Sequence, residues 1–371
     1  MAERWQLRHN GGFDGLRAIA VLLVILVHTW STLVPGGTIG VYMFFTLSGF
    51  LITALLLNEV DRTHRLSFKN FYVRRALRLL PALVAVVAVV VVVSRVTGID
   101  RTIIGTTAPA ALFYYANWQS AAGDKMGLLA HTWSLSVEEQ FYLVWPLTFW
   151  VGWKLGRAKG VLAAALIGCG VSLIAHDVLR LLGATSARID NGFDTQSVSM
   201  FIGCTLATSL YLGWRPTRRQ VWPAALVGAA VILTTAVWTR ARIWSSAATW
   251  GLAILAMSTA AIIVLIERWP QGRTARWLSV APMAYVGRIS YGIYLWHFLI
   301  VQYVGRVFGF RQSSKAFVAV VVLTLPVATA SYYGLERPFL RLKDRFRSGL
   351  APTEPVDHGR PAAVVASTGP G

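Results

Sequence analysis

Cysteine is scarce, two in 371 residues, and both, Cys169 and Cys204, fall inside apolar runs, so neither suggests a disulfide framework or a zinc site. Charge is scarce as well: 14% of the residues are charged, against roughly a quarter in ordinary soluble domains. Acidic residues number 16 against 35 basic ones. No Gly-rich phosphate loop, HExxH helix or GxSxG elbow is present, which disfavours an ATPase, a zinc protease and a serine hydrolase. The absence of an internal repeat weakens a transporter built from inverted halves. The first apolar run has no small-x-small cleavage site, so it is expected to stay as a membrane span.

What the chain does have is apolar length. Hydrophobic residues make up 55% of it and the mean hydropathy is +0.55. Runs of about twenty apolar residues, each enough to cross a hydrocarbon core of about 30 Å, recur from end to end. They predict an all-α polytopic membrane protein with ten transmembrane helices. The spans lie near Leu16–Leu33, Ile39–Leu57, Leu80–Val96, Val137–Trp153, Val161–Leu182, Ser197–Leu212, Val221–Trp238, Ser246–Ile266, Ile289–Gly305 and Ala316–Leu335. An eleventh segment, Ile104–Trp118, carries Pro109 and reads as re-entrant or interfacial.

Ten spans divide the Lys and Arg residues 24 to 10 between the two sides, with Arg17 inside the first span completing the 35. That bias places both termini in the cytoplasm. The net charge of +19 is therefore a topology signal and an attraction to anionic membrane lipids, not a nucleic-acid footprint. One transmembrane domain, residues 1–347, accounts for the chain. The Pro-rich stretch 348–371 reads as a disordered cytoplasmic tail.

Ionisable groups in a bilayer are costly and mark function or tight pairing. Arg17 and His28 share the first span, eleven residues or ~16 Å apart along a helix. Histidine is suited to taking and returning a proton near neutral pH. In the second span Ser48 and Gly49 serve either helix packing or chemistry. The segment SFKNFYVRRALRLLP reads as an interfacial amphipathic helix. Its Arg75 and Arg78, three apart, point the same way and suit a phosphate or lipid headgroups. In HTWSLSVEEQFYLVWP, Ser136 and Glu139 have capping-box spacing. Glu138 lacks that explanation and is placed near the outer end of the span, with His131 and Tyr142 close in sequence. The ninth span, RISYGIYLWHF, brings His297 to a depth comparable with His28, with hydroxyls from Ser290, Tyr291 and Tyr294. Glu336 and Arg337 are placed to pair at the cytoplasmic mouth.

In order, FDGLRAIAVLLVILVH, FFTLSGFLIT, FYVRRALRLLPAL, WSLSVEEQFYLVWP and RISYGIYLWH resemble the acyltransferase-3 family of bacterial membrane O-acyltransferases. The resemblance runs from about Gly11 to Leu340. It implies a multi-pass protein of the bacterial cytoplasmic membrane that moves an acyl group, acetyl first among the candidates, from cytoplasmic acyl-CoA. The donor is a co-substrate, and no bound cofactor or metal is expected. The implied acceptor is a hydroxyl of a carbohydrate, envelope glycan, glycolipid or secondary metabolite. The same resemblance makes Arg17 and His28 essential and assigns Phe45, Ser48 and Gly49 to one motif. It gives Arg75 and Arg78 to the acyl-CoA and prefers Glu138 over Glu139. In the resulting scheme His28 acts as base, oriented by Glu138, with Ser48, Tyr142, Tyr294 and His297 around the substrate. Some relatives carry a C-terminal hydrolase-like domain. The resemblance then implies either a separate extracytoplasmic partner for acyl delivery or an acceptor that comes directly to the membrane core. A transporter or flippase of a glycan or lipid is the rival reading.

Overall fold

The computed structural model describes Trp5, Leu7 and residues 10–238 and 249–343. Among these residues there are helices and turns and no strand, as expected where lipid leaves backbone groups no partner but the helix itself. The long helices are α1 (Gly11–Thr29), α2 (Ile39–Thr63) and α3 (Phe68–Thr97). Two short helices follow, α4 (Ile104–Leu112) and α5 (Ala116–Ala122). Then come α6 (Thr132–Leu181), the short α7 (Ser186–Asn191) and α8 (Phe193–Gln196), α9 (Val198–Tyr211) and α10 (Arg218–Trp238). The last third holds α11 (Thr249–Arg268), α12 (Arg273–Leu278), α13 (Ala281–Arg288), α14 (Ser290–Val307) and α15 (Ser314–Ser331). A π-helical turn at Tyr332–Glu336 leads into α16 (Arg337–Lys343).

Seven helices among the described residues are long and apolar enough to cross a membrane. One of these, α6, holds two predicted spans: its backbone leaves helical geometry at Gly156 and Arg157, where Arg157 takes φ 51°. Gly152 and Gly160 then face each other, and a Cβ on Gly160 would lie 2.0 Å from the Gly152 carbonyl oxygen. The two limbs therefore turn back on each other as predicted. The ninth predicted span forms α14, whose hydropathy is diluted by His297, Gln302, Arg306 and three tyrosines. The sixth forms the 14-residue α9. Residues 246–248 of the eighth span, and the tail from Ser348, lie outside the described residues.

Several boundaries differ from the prediction. The amphipathic segment and the third span are one 30-residue helix, α3, running through Pro81. The Ile104–Trp118 segment is split at Phe113–Tyr115, where Tyr114 has φ 56°. It packs beside α6, and Gln140 donates to the Tyr114 carbonyl at 2.7 Å. Helix α1 stops at Thr29, because Trp30 leaves helical geometry with φ −149° and ψ 56°. His28 therefore occupies the last turn of α1.

An aromatic ladder along α6 forms much of the core. Phe141, Trp145, Phe149 and Trp153 follow one another with ring centroids 5.9, 6.3 and 6.3 Å apart. The buried Trp145 indole donates to Thr53 on α2 at 2.9 Å. Helices α2 and α9 meet backbone to backbone: a Cβ on Gly49 would lie 1.9 Å from the Met200 carbonyl oxygen, and one on Gly203 would lie 2.1 Å from that of Thr46. Close packing is thus the observed role of Gly49, and it holds Ser48 at the edge of the site.

Candidate active site

Asn10 caps α1 by accepting from the Gly12 amide, and its own amide donates to the Ile266 carbonyl at 3.0 Å. One turn on, Asp14 pairs with Arg17 at 3.0 Å. Arg17 then faces a cavity of about 420 Å³. Ser48 of α2, Arg75 and Arg78 of α3, Glu138 and Tyr142 of α6, and Tyr294 of α14 line it as well. Amphipathic spacing brings these polar groups to one place: each helix turns its polar stripe inward and its apolar residues to lipid.

Glu138 is the hub of the cavity wall. Its Oε1 accepts from the Ser48 hydroxyl and from the Tyr142 hydroxyl, the latter at 2.5 Å. Arg75 lies over the Tyr142 ring, 3.9 Å from Glu138. The same guanidinium donates twice to Glu139, at 3.1 and 3.2 Å. Neighbouring helix positions point about 100° apart, so Glu138 lines the large cavity while Glu139 backs Arg75 and lines a second one of about 300 Å³. The capping-box expectation fails. Helix α6 starts at Thr132, so Ser136 lies inside it and donates to the Thr132 carbonyl.

Arg75 and Arg78 do share the cavity, but they are not equivalent. Arg75 is committed to Glu139 and Glu138. Arg78 is exposed and has no ion-pair partner among the described residues. It is the cation available to an anionic ligand. Glu336 and Arg337 do not pair either. Glu336 is buried beside Gly292, whereas the Arg337 guanidinium sits 5.3 Å over the Tyr333 ring.

The second polar centre is a histidine cluster. His28 of α1 meets His297 of α14 with ring centroids 5.3 Å apart, and His131 lies 5.6 Å from His297. Phe298 stacks on His131 at 5.2 Å and touches His28 edge-on at the same distance. His28 Nδ1 lies 2.7 Å from the Val24 carbonyl and His297 Nδ1 lies 2.6 Å from that of Tyr294. A carbonyl only accepts, so each Nδ1 carries the proton. In the neutral ring this leaves a free lone pair on each Nε2, the arrangement a general base or nucleophile needs.

Glu138 is not the residue beside His28. The expected Glu138–His28 pairing gives way to two separate groups joined through Tyr294 and Ser134. The Tyr294 hydroxyl lies 2.6 Å from Ser134 Oγ and donates to the His131 carbonyl at 2.6 Å. Ser134 sits one turn before Glu138 on α6. On the far side, His28 and Thr29 line a further cavity of about 470 Å³ with Gln302, Arg306, Arg311 and Gln312. No lining residue is shared with the cavity of Arg17 and Glu138.

A family model described as an acyltransferase domain matches residues 10–333. The chain belongs to the acyltransferase-3 family. The match takes in every helix that builds the two cavities and the histidine cluster. Among curated relatives, the Bacillus subtilis protein YrhL is 34% identical over 361 residues, covering 89% of this chain and 55% of its own. The O-acetyltransferase OatA of Staphylococcus aureus MRSA252 is 30% identical over 383 residues, 98% of this chain and 62% of its own. The peptidoglycan O-acetyltransferase OatA of Listeria monocytogenes EGD-e is 32% identical over 353 residues, 90% and 56% respectively. The chain therefore spans a little over half the length of these relatives. No solved structure matches it.

Within this acyltransferase-3 chain the residue that sequence reading left unassigned is His131. It lies six residues before the predicted start of its span, where it reads as a loop residue. Helix α6 begins at Thr132 instead, and His131 is 4% exposed. The signal in the sequence was a third histidine ahead of a span whose partner spans each carried one.

Proposed function

We propose that this protein is a membrane O-acyltransferase that takes an acyl group, acetyl first among candidates, from acyl-CoA and delivers it to a hydroxyl of a carbohydrate or cell-envelope glycan. The observation that carries this reading is the pair of polar cavities at opposite ends of α1, with the histidines between them. The relatives named as O-acetyltransferases support it. Both termini are taken as cytoplasmic from the basic-residue bias, which opens the Arg17–Arg78 cavity inward.

In this scheme Arg78 and Arg17 hold the phosphates of the donor by charge-assisted contacts. Arg75 is the support that keeps Glu138 and Tyr142 in register. The pantetheine arm runs toward Tyr294 and Ser134, bringing the thioester to the histidine cluster. The acceptor hydroxyl gives its proton to Nε2 of His28 as its oxygen attacks the thioester carbonyl carbon. The carbon–sulfur bond then breaks, the thiolate takes up that proton, and the products are an ester and free CoA thiol. His297 and Tyr294 shape the substrate side of this centre.

Two cavities on opposite faces are also the outline of a transporter, which keeps that second reading alive. Purified protein with acetyl-, succinyl- and isovaleryl-CoA, assayed for free thiol with and without envelope extract, separates the two. Thiol release that needs the extract and disappears in His28→Ala supports the transferase. Full activity in a folded His28→Ala protein removes His28 from the mechanism. Substrate movement without consumption of a donor assigns the protein to transport.

A further inference from the structure

The outer cavity at His28 has a charge pattern that the acyl-transfer scheme does not require. Arg306 and Arg311 line it, both exposed, and no carboxylate does. Neither guanidinium has an ion-pair partner among the described residues. Arg311 donates from Nε to the Gly305 carbonyl at 3.4 Å, which leaves its terminal amino groups free. The stretch from Gly305 to Lys315 contains three basic residues and no acidic one. Two exposed guanidiniums on one cavity wall with no carboxylate beside them suit an anionic ligand.

The position of this charge is held. The Ser31 amide donates to Gln312 Oε1 at 2.6 Å, and the Ser313 amide donates to the Thr29 carbonyl at 2.9 Å. The loop that carries Arg311 is thereby fastened to the end of α1, within one turn of His28. Gln302 and Gln312 add neutral hydrogen-bonding groups, and Phe310, stacked on Phe308 with centroids 5.9 Å apart, adds an apolar wall. Cations, amides and an aromatic face together are the partners of a sugar that carries a negative group.

We infer that the outer cavity binds the acceptor as an anionic carbohydrate, a sugar with a carboxylate or phosphate, held by Arg306 and Arg311 with its hydroxyl directed to His28. The inference rests on the acyltransferase reading for the role of His28. An anionic lipid headgroup offers the same phosphate chemistry, so the test must separate lipid from acceptor.

The full-length protein would be reconstituted in nanodiscs of phosphatidylcholine alone, which supply no net anionic lipid. N-acetylmuramic acid, N-acetylglucosamine 1-phosphate and neutral N-acetylglucosamine would be compared as acceptors for thiol release from acetyl-CoA, and as ligands by thermophoresis without the donor. The charged sugars are expected to bind with a Kd or KM about tenfold lower than the neutral one, the weight of one charge-assisted contact. The double variant Arg306→Gln/Arg311→Gln is expected to bring that ratio close to one. Lys315→Gln, whose residue does not line the cavity, should keep it.

Equal binding of charged and neutral sugars by the wild type overturns the inference, as does a double variant that retains the preference. An Arg306- and Arg311-dependent response to added phosphatidylglycerol without discrimination among sugars assigns the guanidiniums to lipid and also overturns it. If no thiol is released with any sugar or envelope extract, the transferase reading fails. The thermophoresis arm still decides whether the cavity takes an anionic sugar.

Discussion

The imidazole rings of His28 and His297 lie 5.3 Å apart and nearly edge to face, at 67°, although they belong to α1 and α14, far apart in the chain. Each spends its Nδ1 on a carbonyl of its own helix, so their Nε2 atoms are the free ends. In His297→Gln the amide can still fill the space but cannot accept a proton. His297 shapes the substrate side of the centre while His28 takes the proton. We therefore expect thiol release to fall by about tenfold, the weight of one hydrogen bond near the reacting groups, with the melting temperature in detergent little changed. Wild-type turnover would reduce His297 to packing.

His131 separates packing from chemistry in a different way. Its ring stacks on Phe298 at 28° and 5.2 Å, and among the described residues neither ring nitrogen has a hydrogen bond of ordinary geometry. His131→Phe keeps the stack and removes the nitrogens. Loss of activity in a protein that still elutes as a single species would place His131 in the reaction. Retained activity would make it a spacer between Tyr294 and His28.

Glu138→Gln and Glu139→Gln should fail in opposite ways. Glu138 gathers Ser48 and Tyr142 at the cavity wall, so its amide should lower turnover about tenfold or more while the fold persists. Glu139 neutralises Arg75, and their side chains are only 13% and 16% exposed. Removing that charge leaves a poorly solvated guanidinium and should destabilise the protein by about 3 kcal/mol. Paired kinetics and thermal unfolding would show whether the two effects segregate.

Arg78→Gln tests the donor site. Having no carboxylate to release, Arg78 should cost little stability when replaced. The KM for acetyl-CoA should rise about tenfold, the loss of one charge-assisted contact, and the rise should shrink at high salt. A KM that does not move would take the donor phosphates away from this residue.

Gly49→Ala tests the packing beneath Ser48. The added methyl would meet the Met200 carbonyl at 1.9 Å, and backbone cannot rotate away as a side chain can. Helices α2 and α9 must separate, at about 1–3 kcal/mol. A drop in melting temperature accompanied by lower turnover is expected, since Ser48 moves with α2. An unchanged melting temperature would mean the two helices have room to shift.

The helices were legible in the sequence because each can be formed only one way in lipid. An apolar run must satisfy its own backbone, and that is a local property. The motif residues of the cavity at Arg17 and Glu138 were legible too, since polar groups at helical spacing among apolar ones must turn inward. The histidines of α1 and α14 could be matched in depth by counting residues, and their rings do meet. Depth, however, says nothing about which helices are neighbours or how each is rotated. Packing through Gly49 and Gly203 sets the placement of α2 against α9. An early start to α6 turns His131 from a loop residue into a buried one, and rotation of that helix sends Glu138 to Ser48 and Tyr142 while Glu139 goes to Arg75. The sequence by itself determined an all-helical membrane protein with ionisable groups buried at stated depths. Only the tertiary structure decided which of those groups touch, because contacts between helices depend on side-chain interlocking across hundreds of residues rather than on the composition of any one run.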